Sequence, residues 1–139
     1  EAMMMFYQNV KDFKESKGDD CKIVPLFKSE EDEQFCRQLF RETLEHSEEY
    51  DQMIKDKVQD WEMGRVISMD MLLMEMALCE LLEFPSIPIK VTLNEYIEIA
   101  KWYSSDKSKL FINGILDRLI VDLRAQDRIV KTGRGLYQN

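Results

Sequence analysis

Between Met69 and Leu82 the chain reads MDMLLMEMALCELL, apolar on nearly every side of a helix and charged only at Asp70, Glu75 and Glu80. A surface helix carries one apolar stripe, whereas a helix that is hydrophobic all round has to be buried. This stretch is therefore the expected centre of the fold, and the rest of the chain has to supply amphipathic elements that surround it. With 139 residues the chain is long enough for one domain with a sizeable core.

The surrounding sequence meets that demand with helical periodicity. Ser29 followed by Asp32 and Glu33 has the character of a capped helix start. Phe35, Cys36, Leu39, Phe40, Thr43 and Leu44 then form one apolar stripe. His46-Ser47-Glu48-Glu49 marks a break, after which Tyr50, Ile54, Val58 and Trp61 resume the spacing. The central helix ends at Phe84-Pro85, and Ile87-Pro88 is a rigid connector. A helix follows over Val91–Tyr103 with Leu93, Ile97 and Ala100 inward. Ser104-Ser105-Asp106 ends it and caps the next, Lys107–Arg124, whose core stripe is Ile112, Leu116, Leu119 and Leu123.

Gly114 falls on a flank of that last helix, where the lack of a side chain is expected to let another backbone approach, with Asn113 bonding a neighbouring backbone or Asn94. Strand signals are weak. Lys22–Phe27 is short and contains Pro25, which reads as a loop or edge segment. The fold expected is all-α, a bundle of about six or seven helices. Residues 1–28 form an N-terminal helix and connector, 29–126 the helical domain, and 127–139 a flexible tail containing Gly133 and Gly135. The first residue, Glu1 rather than methionine, suggests a piece of a longer protein.

Chemistry-bearing residues are sparse. Cys21, Cys36 and Cys79 are isolated and form no metal-ligand spacing, which fits reduced thiols in the cytoplasm. The single histidine, His46, lies amid Glu42, Glu45, Glu48 and Glu49, a solvated acidic face. No Ser/His/Asp or Cys/His set assembles, and Gly133-Arg134-Gly135 is neither a Walker loop nor a dinucleotide fingerprint. The expectation is a protein that is not an enzyme and takes no cofactor or metal. No apolar run approaches the roughly 20 residues of a membrane span.

Charge is divided unevenly. Residues 1–100 hold 11 Lys+Arg against 23 Asp+Glu, whereas residues 101–139 hold 8 against 4. An acidic body repels nucleic acid, while a basic end attracts phosphate locally.

Four blocks, taken in order, resemble the NusB family of bacterial transcription antitermination factors. Trp61-Glu62-Met63-Gly64-Arg65-Val66 with Met69-Asp70 is similar to the family's W-x-x-x-R-I and hydrophobic–Asp pair. Met76–Leu81 resembles I-A-L-Y-E-L, and Ile87–Lys101 resembles P-x-K-V-A-I-N-E-A-I-E-L-A-K. Phe111–Asp117 is similar to F-V-N-G-V-L-D. The resemblance implies a NusB-like bundle that binds boxA-type RNA with a NusE-type ribosomal protein, in the transcribing RNA polymerase complex.

It further implies RNA contacts at Lys107, Lys109, Phe111 and Asn113, and a partner contact at Asp70. The family's arginine-rich first helix has no counterpart, because residues 1–16 contain only Lys11 and Lys14 as basic residues. Two further family arginines fall on Met71 and Glu75, and the lysine before the motif phenylalanine is Leu110. These departures keep two alternatives open, an interaction scaffold that has lost RNA binding and an accessory domain of an RNA-modifying enzyme.

Overall fold

The computed structural model describes residues 25–58, 68–105 and 107–137. Two compact units divide the chain, Glu1–Cys36 and Arg37–Asn139. Five α-helices lie among the described residues: α1 Glu30–Glu45, α2 Ser47–Lys55, α3 Ser68–Glu83, α4 Ile89–Tyr103 and α5 Ser108–Ala125. A 3-10 turn, Gly133–Leu136, follows them. The expected helix over residues 2–16, Cys21 and the Trp61–Val66 block all lie outside the described residues.

In the first unit the Asp32 N–H donates to Ser29 Oγ at 3.1 Å, which is the expected cap. Glu30, Glu31, Asp32 and Glu33 fill the first turn of α1, where the positive end of the helix dipole favours them.

In the second unit α3 sits at the centre, packed against α2, α4 and α5. Met74, Ala77, Leu78, Cys79 and Leu81 are fully buried, as an all-round apolar helix requires. Tyr50, Ile54 and Val58 close one side of it, and Ile112, Leu116, Leu119 and Leu123 of α5 close another. Burying one such side chain contributes about 1.5–3 kcal/mol, so α3 carries much of the hydrophobic stabilisation. His46 does separate α1 from α2: its N–H still donates to Glu42 O at 3.1 Å while its own carbonyl accepts from Tyr50 N.

Two stripes differ from expectation. On α1 only Leu39 and Thr43 are buried, while Phe40 and Leu44 are exposed. On α4 the buried residues are Ile89, Thr92, Tyr96 and Ala100; of the three expected inward, Ala100 is buried, whereas Leu93 and Ile97 are only half-buried. The cause lies on α3, where the buried Glu80 carboxylate accepts from Thr92 Oγ1 at 2.7 Å and Tyr96 Oη at 3.3 Å. A buried carboxylate has to be hydrogen-bonded, and meeting that requirement turns α4.

α5 ends in a Schellman motif. Arg128 N donates to Leu123 O at 2.9 Å and Asp127 N to Arg124 O at 3.1 Å, with Asp127 left-handed at φ 54. Arg128 then reaches back to Glu49 on α2 at 2.6 Å.

The flexible tail expected over 127–139 is, as far as residue 137, a strap across the C-terminal end of α3. Lys131 Nζ donates to Phe84 O at 3.0 Å and Glu80 O at 3.4 Å, and Thr132 N donates to Pro85 O at 2.9 Å. Gly135 is buried, and a Cβ there would lie 2.0 Å from Pro85 O. The close approach expected at Gly114 belongs to Gly135 instead: among the described residues a Cβ at Gly114 meets nothing within 4 Å.

Candidate nucleic-acid interface

The residues singled out from sequence gather at the corner between α4 and α5. The α4 helix stops when Ser104 turns to extended backbone, its N–H still donating to Ala100 O at 3.0 Å. The side chains of three serines then tie the turn. The Ser104 and Ser108 hydroxyls lie 2.8 Å apart, those of Ser105 and Ser108 2.7 Å apart, and Ser105 N donates to Ser108 Oγ at 3.2 Å. Ser108 is itself buried, so the first turn of α5 is fixed from inside.

Asp70 anchors this knot. Its side chain is only 2% exposed, and its carboxylate accepts from Ser104 Oγ. The structure therefore places Asp70 beneath the corner rather than on an open surface, joining the start of α3 to the end of α4. Ser104 is the link that the sequence pattern did not connect to Asp70, since the two stand 34 residues apart.

The other four residues follow within three helical turns. Lys107 is exposed at the N-terminal end of α5, and Lys109 is half-buried. Neither has an ion-pair partner among the described residues. Phe111 is half-buried and packs its inner side against the main core. The Asn113 amide donates to Asp117 Oδ2 at 2.8 Å, one turn along its own helix, instead of reaching Asn94.

Beside these stand residues that periodicity had not marked. Trp102 is 82% exposed, Tyr103 66% and Leu110 74%. Ala100 is the last inward residue of α4, so Trp102 and Tyr103 lie past the buried stripe. The signal available in sequence was their position, an aromatic pair between Lys101 and Lys107 at a helix end.

Elsewhere titratable groups are buried for structural reasons. Burial pushes the Glu80 carboxyl above the usual carboxylate range, opposed by the Thr92 and Tyr96 hydroxyls and Lys131. Burial likewise lowers the Lys131 ammonium to about 8, with Glu80 opposing. Burial raises the Cys79 thiol, which keeps it protonated and inert as a nucleophile. Among the described residues no group of three His, Cys, Asp or Glu side chains is placed to hold a metal. No described helix is long and apolar enough to cross a membrane.

Among the described residues, fold and corner together define an all-α bundle that presents exposed aromatic rings, and lysines without ion-pair partners, at one end. The sequence model of the NusB family matches residues 2–121. The chain belongs to the NusB family. It is 45% identical over 113 residues to a transcription antitermination protein NusB of Salinibacter ruber, a stretch covering 81% of this chain and 71% of that protein. A protein of the same name from Chloroherpeton thalassium is 37% identical over 73% of this chain and 48% of its own length. That of Thermodesulfovibrio yellowstonii is 41% identical over 61% of this chain and 56% of its own. The solved structure of T. maritima NusB superposes with a TM-score of 0.65 at 28% identity, covering 86% of this chain and 84% of that one.

Proposed function

We propose that the chain acts as an antitermination factor in the cytoplasm, binding boxA-type RNA together with a NusE-type ribosomal protein in the transcribing RNA polymerase complex. The observation that supports it best is the α4–α5 corner, where Lys107 and Lys109 stand without ion-pair partners among the described residues, in a family whose named relatives are antitermination proteins. Lysines supply phosphate attraction, and Phe111 and Asn113 stand on the same helix to meet the strand. Asp70 serves the partner contact by holding the corner in shape, through Ser104, rather than by facing the partner.

A second reading is supported by the acidic body and by Met71 and Glu75 at family arginine positions, namely a protein-interaction scaffold without RNA. Anisotropy of labelled boxA-type RNA, titrated with the chain with and without the NusE-type protein, separates the two. The RNA reading expects binding that tightens with the partner. Replacing Lys107 and Lys109 by alanine lowers the log Kd–log salt slope by about 1.4 if each contacts one phosphate of a single strand. Absence of RNA binding in both titrations, with partner binding retained, refutes the RNA reading and leaves the scaffold.

A further inference from the structure

Trp102 is the residue whose exposure the fold explains least. A tryptophan is the largest apolar side chain, and leaving 82% of it in water forgoes burial that the core could have used. Scattered single apolar residues on a surface are ordinary. Here Trp102, Tyr103 and Leu110 are all exposed at one corner. The core makes no use of the Trp102 ring, since the inward face of α4 ends at Ala100.

The charge around the ring narrows what covers it. From Lys101 to Lys109 the sequence is KWYSSDKSK, three lysines against the single acid Asp106. Lys101 is paired with Glu98, while Lys107 and Lys109 are not paired among the described residues. An exposed ring within a few residues of two cations that have no ion-pair partner among the described residues matches the two chemical parts of a single strand, an apolar base face and a phosphate. The backbone that carries the ring is tied two residues further on, where the Ser104 hydroxyl donates to Asp70, and a chain segment already held costs less to order on binding.

We propose that Trp102 is a base-stacking residue for single-stranded RNA at the α4–α5 corner, with Lys107 and Lys109 holding the adjoining phosphates. This rests on the RNA-binding reading and adds to it a contact that none of Lys107, Lys109, Phe111 or Asn113 supplies, an open ring face for a base.

The test uses the full chain, the NusE-type protein and boxA-type RNA, with the same RNA carrying abasic positions as a second probe. The chain has two tryptophans, so a Trp61→Phe background leaves Trp102 as the sole indole emitter. Trp102 fluorescence is expected to be quenched saturably by RNA, with the Kd that anisotropy reports, and one abasic position should abolish the quenching. In the otherwise unaltered chain, Trp102→Ala is expected to weaken RNA binding roughly ten-fold while leaving the salt slope unchanged. Trp102→Phe should retain most of the affinity, and circular dichroism should show unchanged helicity.

If RNA binds but Trp102→Ala binds it equally well and no quenching occurs, the stacking proposal falls while the RNA reading stands. If RNA does not bind at all, both fall together. If Trp102→Ala spares RNA affinity but weakens the NusE-type protein, Trp102 is a protein-docking residue and the proposal is overturned.

Discussion

Replacing Gly135 by alanine tests whether the C-terminal strap is fastened as described. Gly135 is not the strap glycine with positive φ, which is Gly133, so the substitution carries no left-handed penalty. Its cost is steric. The added Cβ would sit 2.0 Å from Pro85 O and 3.1 Å from Pro85 C, both backbone atoms that no rotamer change can move. Either the strap lifts or the α3–α4 connector shifts. Strain from a methyl forced into a packed site costs about 1–3 kcal/mol.

If the strap lifts, the chain loses the Thr132–Pro85 bond and the Lys131 bonds to Phe84 and Glu80. Neutral bonds contribute about 1 kcal/mol each and charge-assisted ones somewhat more, discounted here because Lys131 is only half-buried. Both routes converge on a loss of about 2–3 kcal/mol. For a domain of this size that lowers Tm by roughly 6–12 °C.

Thermal unfolding followed by far-ultraviolet circular dichroism measures the loss, with a chain ending at Val130 as the reference for a missing strap. A wild-type Tm for Gly135→Ala refutes the close approach to Pro85. A loss larger than that of the shortened chain refutes the strap as its source, because lifting the strap cannot cost more than lacking it.

Gly114→Ala should do the opposite. With open space around the position and a helical backbone, alanine should stabilise by about 0.5–1 kcal/mol, seen as a higher urea midpoint, and a lower midpoint would restore the helix contact expected from sequence. For Glu80 the folded-state pKa is raised, so its contribution is fully present below the unfolded value of 4.5 and is lost as pH rises through the folded one. Glu80→Gln should therefore gain Tm relative to wild type between pH 4 and pH 7, and a pH-independent difference would contradict the burial of the charge.

The architecture was legible wherever apolar pattern decides the outcome. The α3 helix could only be central, and the α5 stripe of Ile112, Leu116, Leu119 and Leu123 is buried throughout. The rotation of α4 was not legible, because it follows from Glu80 on α3 needing Thr92 and Tyr96, and hydropathy gives those residues no inward preference. Which glycine a backbone approaches is hidden for a related reason, since spacing shows where Gly114 and Gly135 are but not what lies against them. The strap reads as a tail because, apart from Ile129 packed against the core, it is fastened by backbone and one lysine. At the corner the resemblance located Lys107, Lys109, Phe111 and Asn113. Its supports, Asp70 to Ser104 and the exposure of Trp102, depend on where α4 happens to end.

The strap also bears on when the fold closes. The Lys131 to Glu80 contact joins residues 51 positions apart, a loop whose closure costs entropy that is repaid only once both ends are in place. Helices α3, α4 and α5 can pack through contacts nearer in sequence before that clasp exists. A clasp formed after the rate-limiting barrier does little for the speed of folding and acts almost wholly on escape from the native state. Lys131, Thr132 and Gly135 would then set how long the bundle stays folded more than how fast it forms.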